Sequence, residues 1–267
     1  MSVSGDPALA TADRFVEIGG LRARVRREGD GPAVLVLHGW GAHIEAVAPI
    51  SAALREVCDV VAVDLPGFGQ SAVPPQPWGV ADFSRWVVGL MDELGIERAH
   101  LVGHSHGGRV AIHLATEHPE RVDRMLLIDS AGIRAPRTAR WYWKVGLAKV
   151  GKYAAKLLGP LGRRIQRVLV GRAASTDYAA AGPMRPTLVR VVNEDLSDRL
   201  PRIARPTLLV WGALDEDTPL WMGKRMEELI PDAGLVVFEG ARHYSYADEP
   251  VRFGRIAREF LGPRPPV

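Results

Sequence analysis

The residues of this chain that could act together in catalysis are a serine, a histidine and an aspartate in separate glycine-containing stretches. Ser105 lies at the centre of Gly-His-Ser-His-Gly, residues 103–107. This pattern between a strand-like and a helix-like run predicts a sharp turn that exposes the serine hydroxyl, because glycine has no Cβ to collide with neighbouring backbone. A serine hydroxyl is a good nucleophile only when a base takes its proton and an acid holds that base. The pattern therefore predicts a nucleophile at Ser105.

His243 is the best candidate for the base among the eight histidines. It lies in a predicted loop, residues 239–246, after the last predicted strand. His104 and His106 flank Ser105, but adjacent side chains diverge at a sharp turn, so neither is expected to be the base. The other histidines lie in or at the end of predicted strands and helices, or in no assigned element: His38, His43, His100, His113 and His118.

Asp215 is the preferred acid, with Asp217 and Asp129 as alternatives. All three end a predicted strand or follow one closely. Asp215 follows a turn that leaves the strand at residues 207–211, and it lies between Ser105 and His243 in chain order. Other aspartates are expected to form turns or to lie at the surface.

Two backbone N–H groups are predicted to stabilise the oxyanion that forms when serine attacks a carbonyl. One belongs to His106, the residue after the nucleophile, at the start of a helix. The other is expected from Trp40, in the loop that follows the first buried strand. The pair His38-Gly39 allows this loop to turn tightly enough to bring the Trp40 N–H inward. The Trp40 side chain could alternatively do no more than form a wall of the pocket.

Apolar runs alternate with helical patterns along most of the chain. Strands are predicted at residues 15–18, 21–26, 33–37, 60–63, 99–102, 125–128, 207–211 and 235–238. Helices are predicted at residues 46–54, 80–94, 110–118, 220–229 and 251–260. This alternation indicates an α/β protein with a mostly parallel sheet covered by helices on both faces. The site is expected at the carboxyl ends of the strands.

The glycine-containing stretches together resemble the motifs of the α/β-hydrolase superfamily, in that family's order and over residues 15–261. They are His-Gly-Trp at 38–40, Asp-Leu-Pro-Gly-Phe-Gly-Gln-Ser at 64–71, the serine turn at 103–108, Trp-Gly-Ala-Leu-Asp at 211–215 and Gly-Ala-Arg-His at 240–243. The resemblance implies the fold of that family and a triad of Ser105, His243 and Asp215. One departure is His106, where many members have Met, Leu or Phe.

Residues 131–205 interrupt the alternation and are predicted to form a helical cap inserted between core segments 14–130 and 206–262. The interval has no Asp or Glu between residues 133 and 176. Its helical spacing places basic residues on one face (Arg140, Lys144, Lys152, Lys156) and apolar residues on the other (Trp143, Leu147, Val150, Ala154, Leu157). The basic stripe is interpreted as a solvated face, with attraction of anionic substrates or a membrane surface as the alternative.

The first hypothesis is a carboxylesterase that forms an acyl-enzyme on small to medium, fairly apolar esters, motivated by the ordered triad and a cap rich in Trp and Tyr. Serine at position 105 argues against the dehalogenase and epoxide hydrolase branches, which use a carboxylate nucleophile. The alternatives are a carbon–carbon bond hydrolase of ring-fission dienoates, in which basic cap residues could bind the carboxylate, and a receptor-like hydrolase with little turnover. Because all members share the serine turn, the triad does not separate these activities.

Composition indicates an ordinary soluble globular protein of 267 residues with a net charge of +3. That small excess does not indicate a nucleic-acid partner. The single cysteine, Cys58, excludes internal disulfides and cysteine-based zinc sites. We expect no cofactor and no metal. No secretory signal or membrane-spanning run is recognised, so a cytoplasmic location is expected. The oligomeric state stays open.

Overall fold

A computed structural model of the chain describes residues 13–134 and 180–263. The strands of these residues are β1 Arg14–Ile18, β2 Leu21–Glu28, β3 Ala33–Leu37, β4 Asp59–Val63, β5 Ala99–His104, β6 Val122–Ile128, β7 Thr207–Gly212 and β8 Ala233–Phe238. They form one eight-stranded sheet in the order β1-β2-β4-β3-β5-β6-β7-β8. Strand β2 is antiparallel to β1 and β4, and the other neighbours are parallel. The predicted α/β-hydrolase architecture is confirmed.

Helices cover both faces of this sheet. The α-helices of the described residues are α1 Ala48–Leu54, α2 Val80–Glu93, α3 His106–Glu117, α4 Arg185–Asn193, α5 Leu220–Leu229, α6 Ser245–Asp248 and α7 Pro250–Leu261. One apolar core lies between the sheet and α2, α3 and α5, and a second lies between the sheet and α1 and α7. Within the described residues, no helix is long and apolar enough to cross a membrane.

Helix α3 begins at His106, as expected for the residue after the nucleophile and four residues before the helical pattern at residues 110–118. Gly107 and Gly108 lie in its first turn, although glycine disfavours a helix interior by about 1 kcal/mol. In the fold, a Cβ on Gly107 would collide with the carbonyl oxygen of Leu37, and one on Gly108 with the hydroxyl of Ser130. The glycines therefore lie inside the helix because its first turn packs directly against neighbouring backbone.

The predicted cap is described only at its two ends. Residues 180–205 contain helix α4 and the 3-10 helices Gly182–Met184 and Ser197–Arg202, and no strand. Residues 135–179, with the predicted basic and apolar stripes, lie outside the described residues. The domain boundaries at residues 131 and 205 therefore stay predictions.

Candidate active site

Ser105 lies at the turn between β5 and α3, at the carboxyl edge of the sheet. Its φ of 51° is in the left-handed region, which non-glycine residues rarely adopt. A Cβ on Gly103 would lie 2.7 Å from the backbone of Gly107 and Gly108, so the turn closes only with glycine there. Among the described residues the Ser105 hydroxyl has no hydrogen-bond partner, and it faces a cavity. Ser105 therefore lies at the predicted sharp turn, and its role as nucleophile stays a prediction.

His243 and Asp215 are hydrogen-bonded to each other in the loops that follow β8 and β7. The imidazole Nδ1 lies 2.8 Å from Asp215 Oδ2. Asp215 Oδ2 also accepts from Thr218 Oγ1 at 2.6 Å, and Oδ1 accepts from the N–H groups of Asp217 and Thr218. Four donors thus fix the carboxylate, which in turn orients the imidazole.

The His243–Asp215 pair has shifted protonation equilibria. Burial disfavours the charged imidazole, but the hydrogen bond and charge of Asp215 outweigh burial and raise the pKa of His243 above 6.5. Burial also opposes the charged form of Asp215, but the hydrogen bonds from His243 and Thr218 lower the pKa of this carboxyl below its usual value. The pair therefore favours an ionised carboxylate beside an imidazole that readily accepts a proton.

The two alternative acids have different surroundings. Asp217 is exposed and shares the cavity with His243. Asp129 is fully buried, and its carboxylate accepts from the backbone N–H of Gly212 at 2.8 Å and of Ser245 at 3.0 Å. Burial raises the pKa of Asp129 to about 7. Asp129 thus links the end of β7 to the turn that follows His243. Of the three candidate aspartates, Asp215 is the one that hydrogen-bonds to the His243 imidazole.

The two predicted oxyanion donors line the same cavity as Ser105. Among the described residues, neither the Trp40 N–H nor the His106 N–H has a hydrogen-bond acceptor. The Trp40 ring packs edge-on against Phe68, with ring centres 4.8 Å apart, and against His106 at 5.5 Å. Trp40 therefore both forms a wall of the cavity and offers an unpaired N–H.

His38 holds the loop that carries Trp40. Its Nδ1 donates to the carbonyl of Gly39 at 2.7 Å, and its Nε2 accepts from the Leu65 N–H at 2.9 Å. Burial lowers the pKa of His38 to about 4, so the ring is neutral and can accept that bond. A Cβ on Gly39 would lie 3.0 Å from His104 Nδ1 and 3.3 Å from Ser105 Cβ. Glycine therefore lets this loop approach the nucleophile.

His104 contacts the loop that carries the candidate base, a role that the sequence did not indicate. Its Nε2 lies 2.7 Å from the carbonyl oxygen of His243, which acts as acceptor. Burial lowers the pKa of His104 to about 3, so the ring is neutral. Its neighbours in sequence gave no signal of this contact, because the partner lies 139 residues away.

A cavity of about 500 Å³ is bordered by Ser105, His243 and the two predicted oxyanion donors. Its described lining consists of Gly39, Trp40, His104, Ser105, His106, Arg109, Ala131, Leu188, Val191, Val192, Asp217, Thr218, Met222, His243 and Tyr244. The guanidinium and the carboxylate of this described lining belong to Arg109 and Asp217. The cavity is large enough for a small organic substrate.

Metal binding is geometrically conceivable at Asp215, Asp217 and His243, whose ligand atoms lie within 4.8 Å of one another. The oxygens of Asp215 already accept four hydrogen bonds, one of them from His243. A cation here would displace the contact that orients the imidazole. The donor arrangement therefore fits an acid–base pair better than a metal centre.

Comparison with known proteins gives consistent matches over nearly the whole chain. The family described as alpha/beta hydrolase fold matches residues 32–250. The 2-hydroxy-6-oxo-6-phenylhexa-2,4-dienoate hydrolase of Comamonas testosteroni is 33% identical over 262 residues, which cover 88% of this chain and 90% of that protein.

Solved structures give the same architecture. A meta-cleavage product hydrolase from Pseudomonas fluorescens has a TM-score of 0.72 and 26% identity, over 92% of this chain and 96% of that one. A bacterial membrane phospholipase A has a TM-score of 0.75 and 28% identity, over 94% of this chain and 85% of that one. These proteins are similar to the chain in fold and in length.

Proposed function

Because the chain belongs to the α/β-hydrolase fold family, we propose that it is a serine hydrolase that cleaves a carbon–carbon bond in dienoates formed by ring fission. The observation that carries the serine mechanism is the 2.8 Å contact of His243 with Asp215 in loops that meet Ser105 at one cavity. The substrate class is supported by the similarity to a dienoate hydrolase and a meta-cleavage product hydrolase. The first hypothesis from the sequence is a carboxylesterase, and the relatives support the carbon–carbon bond hydrolase better.

The proposed reaction begins when Ser105 Oγ attacks the keto carbon and His243 takes its proton. The negative charge on the keto oxygen is held by the N–H groups of Trp40 and His106. Before this bond can break, the dienol must ketonise, with its hydroxyl proton moving to the carbon next to the keto group. The carbon–carbon bond then breaks, its electron pair passes into the conjugated 2-oxo-enoate to give a dienolate, and His243 returns the proton to that dienolate. The acyl group stays on Ser105 until water, deprotonated by His243, releases it as a carboxylic acid.

An ester would react through the same first step, so the triad does not distinguish the two substrates. The difference lies in the leaving group, which is an alkoxide in an ester and a carbon in the dienoate. Carboxylic ester hydrolysis is the second candidate, and the similarity to a phospholipase A favours it. The dienoate reaction additionally requires that the far end of the substrate be held while the bond breaks.

The experiment compares turnover of 2-hydroxy-6-oxo-6-phenylhexa-2,4-dienoate with that of 4-nitrophenyl butyrate. We expect kcat/KM for the dienoate to exceed that for the ester at least tenfold, a difference of about 1.4 kcal/mol in barrier. The variant Ser105→Ala gives the background rate for each substrate. Brisk ester turnover with no reaction of the dienoate would replace the proposal with a carboxylesterase.

A further inference from the structure

We propose that Arg109 binds a carboxylate of the substrate and makes the enzyme select anionic over neutral acyl compounds. The inference rests on the proposed hydrolase function, because it concerns what enters the same cavity. In this proposal the residue that binds the negative charge of the substrate lies on α3, the helix that begins directly after Ser105. The basic residues of the predicted cap are not required for that binding.

Arg109 occupies a position from which it can reach a ligand bound at Ser105. It lies near the start of α3, four residues after Ser105, and both residues line the same cavity. Its side chain is part of the cavity lining, yet the residue is only 7% exposed. The guanidinium is therefore largely removed from bulk water and borders the space that a substrate would fill.

The positive charge of Arg109 has no ion-pair partner in the described part of the chain. Its single hydrogen bond there runs from Nη1 to the carbonyl of Glu194, at 2.8 Å. The nearby carboxylates accept bonds elsewhere: Glu194 Oε2 from the Val80 N–H, and Asp195 Oδ1 from Ser197. Since a guanidinium carries five N–H donors, the other donors of Arg109 have no acceptor among the described residues, and the residue borders the cavity.

A buried cation without a partner is energetically unfavourable, so its presence calls for an explanation. Burial lowers the pKa of Arg109 to about 10, and nearby Glu194 opposes that change. The side chain is therefore still charged at neutral pH. A carboxylate that entered the cavity would supply the missing partner, and the planar guanidinium can bind both of its oxygens at once.

The other charges of the cavity favour one orientation of such a ligand. Asp217 is the carboxylate of the described lining, and it contributes to the field at His243. A negatively charged end would be repelled from Asp217 and attracted to Arg109. Apolar side chains of α4, Leu188 and Val191, also line the cavity and suit a hydrocarbon chain. A substrate with an anionic end and a remote reactive carbonyl fits this arrangement.

The test uses two 4-nitrophenyl esters with the same six-carbon acyl chain. In one, the far end of adipic acid is a free carboxylate, and in the other it is a neutral methyl ester. The variant Ser105→Ala gives the background rate. We expect the wild type to prefer the anionic ester in kcat/KM. Arg109→Gln should reduce that preference about 10- to 100-fold, the range for hydrogen bonds to charged groups. Arg109→Lys, which keeps the charge on a different head group, should retain part of it.

The matched control is Arg199→Gln. Arg199 pairs with Glu117 at the far end of α3 and does not line the cavity, so this variant loses one positive charge without changing the proposed site. It should keep the preference of the wild type. Melting temperatures of all variants establish that each is folded.

A binding measurement separates this inference from the proposed function. We expect 5-phenylpentanoate to bind the wild type more tightly than 5-phenylpentanamide in calorimetric titration, and Arg109→Gln to remove the difference. If this preference is found but no substrate is hydrolysed, Arg109 binds anions and the proposed function fails. The inference about Arg109 is wrong if the wild type hydrolyses the anionic and the neutral ester with equal kcat/KM. It is also wrong if Arg109→Gln leaves the preference for the anionic ester unchanged.

Discussion

At the scale of single residues, the contact between Asp215 and His243 sets the protonation state of the candidate base. A general base acts only in its neutral form, so activity is lost as pH falls through its pKa. Burial alone would lower the pKa of His243, and the hydrogen bond and charge of Asp215 reverse that effect. The pH profile therefore reports on this contact.

We predict that kcat/KM of the wild type rises with pH through a pKa above 6.5. Asp215→Asn removes the charge that raises this pKa, so the acidic limb of the profile should move to lower pH. The rate should also fall on the order of 10³–10⁴-fold, because the imidazole is no longer held in the required tautomer. The measurement is the pH dependence of kcat/KM for the better substrate.

The control for this prediction is Asp217→Asn. Asp217 is exposed and acts on His243 only through its charge, so its removal should lower the pKa slightly and leave most of the rate. An acidic limb at the same pH in Asp215→Asn and the wild type would show that Asp215 does not set the protonation of the base.

At the scale of elements, the site depends on loops that side chains tie together after the strands have formed. Asp129, at the end of β6, accepts hydrogen bonds from the end of β7 and from the start of α6. Its φ of 43° is unusual for a non-glycine residue, which is consistent with a position fixed by surrounding contacts. The loops that carry Asp215 and His243 are thereby linked through a buried carboxylate.

We predict that Asp129→Asn destabilises the protein by about 1–3 kcal/mol, because an amide can accept only one of these N–H groups and opposes the other with its own donor. The melting temperature should fall by several degrees, and activity should decrease as the loops separate. Differential scanning calorimetry and the rate of substrate turnover provide the measurements.

Asp123→Asn is the matched control for the loop link. Asp123 lies on the same strand, but its carboxylate is part of an exposed pair with Arg98 at 3.2 Å. Such pairs contribute about 0–1 kcal/mol, so this variant should melt close to the wild type. Equal stability of Asp129→Asn and Asp123→Asn would contradict the proposed link between the loops.

At the scale of the whole molecule, the sheet and its functional edge could be predicted from the sequence. Strand β3 matches its prediction at residues 33–37 because a strand buried on both faces appears as a continuous apolar run. The order of strands and helices then brings Ser105, Asp215 and His243 to one edge. Their glycine-containing flanks gave the local signal for where these residues lie, and their catalytic roles stay predictions.

The supporting contacts could not be predicted, because they depend on which loops meet in space. His104 contacts a residue 139 positions away, and Asp129 contacts one 116 positions away. The sequence did not indicate a role for Arg109 either. That role depends on the burial of its side chain and on the hydrogen bonds that Glu194 and Asp195 make to other groups.

The most direct test of the account is covalent labelling with a fluorophosphonate ester, which reacts with a serine activated as a nucleophile. We predict that the wild type gains one phosphonyl group at the peptide that contains Ser105 and loses activity in proportion, as measured by mass spectrometry and residual turnover. Ser105→Ala should gain none and should have no turnover above background. Labelling at another residue, or full activity in Ser105→Ala, would contradict the serine mechanism.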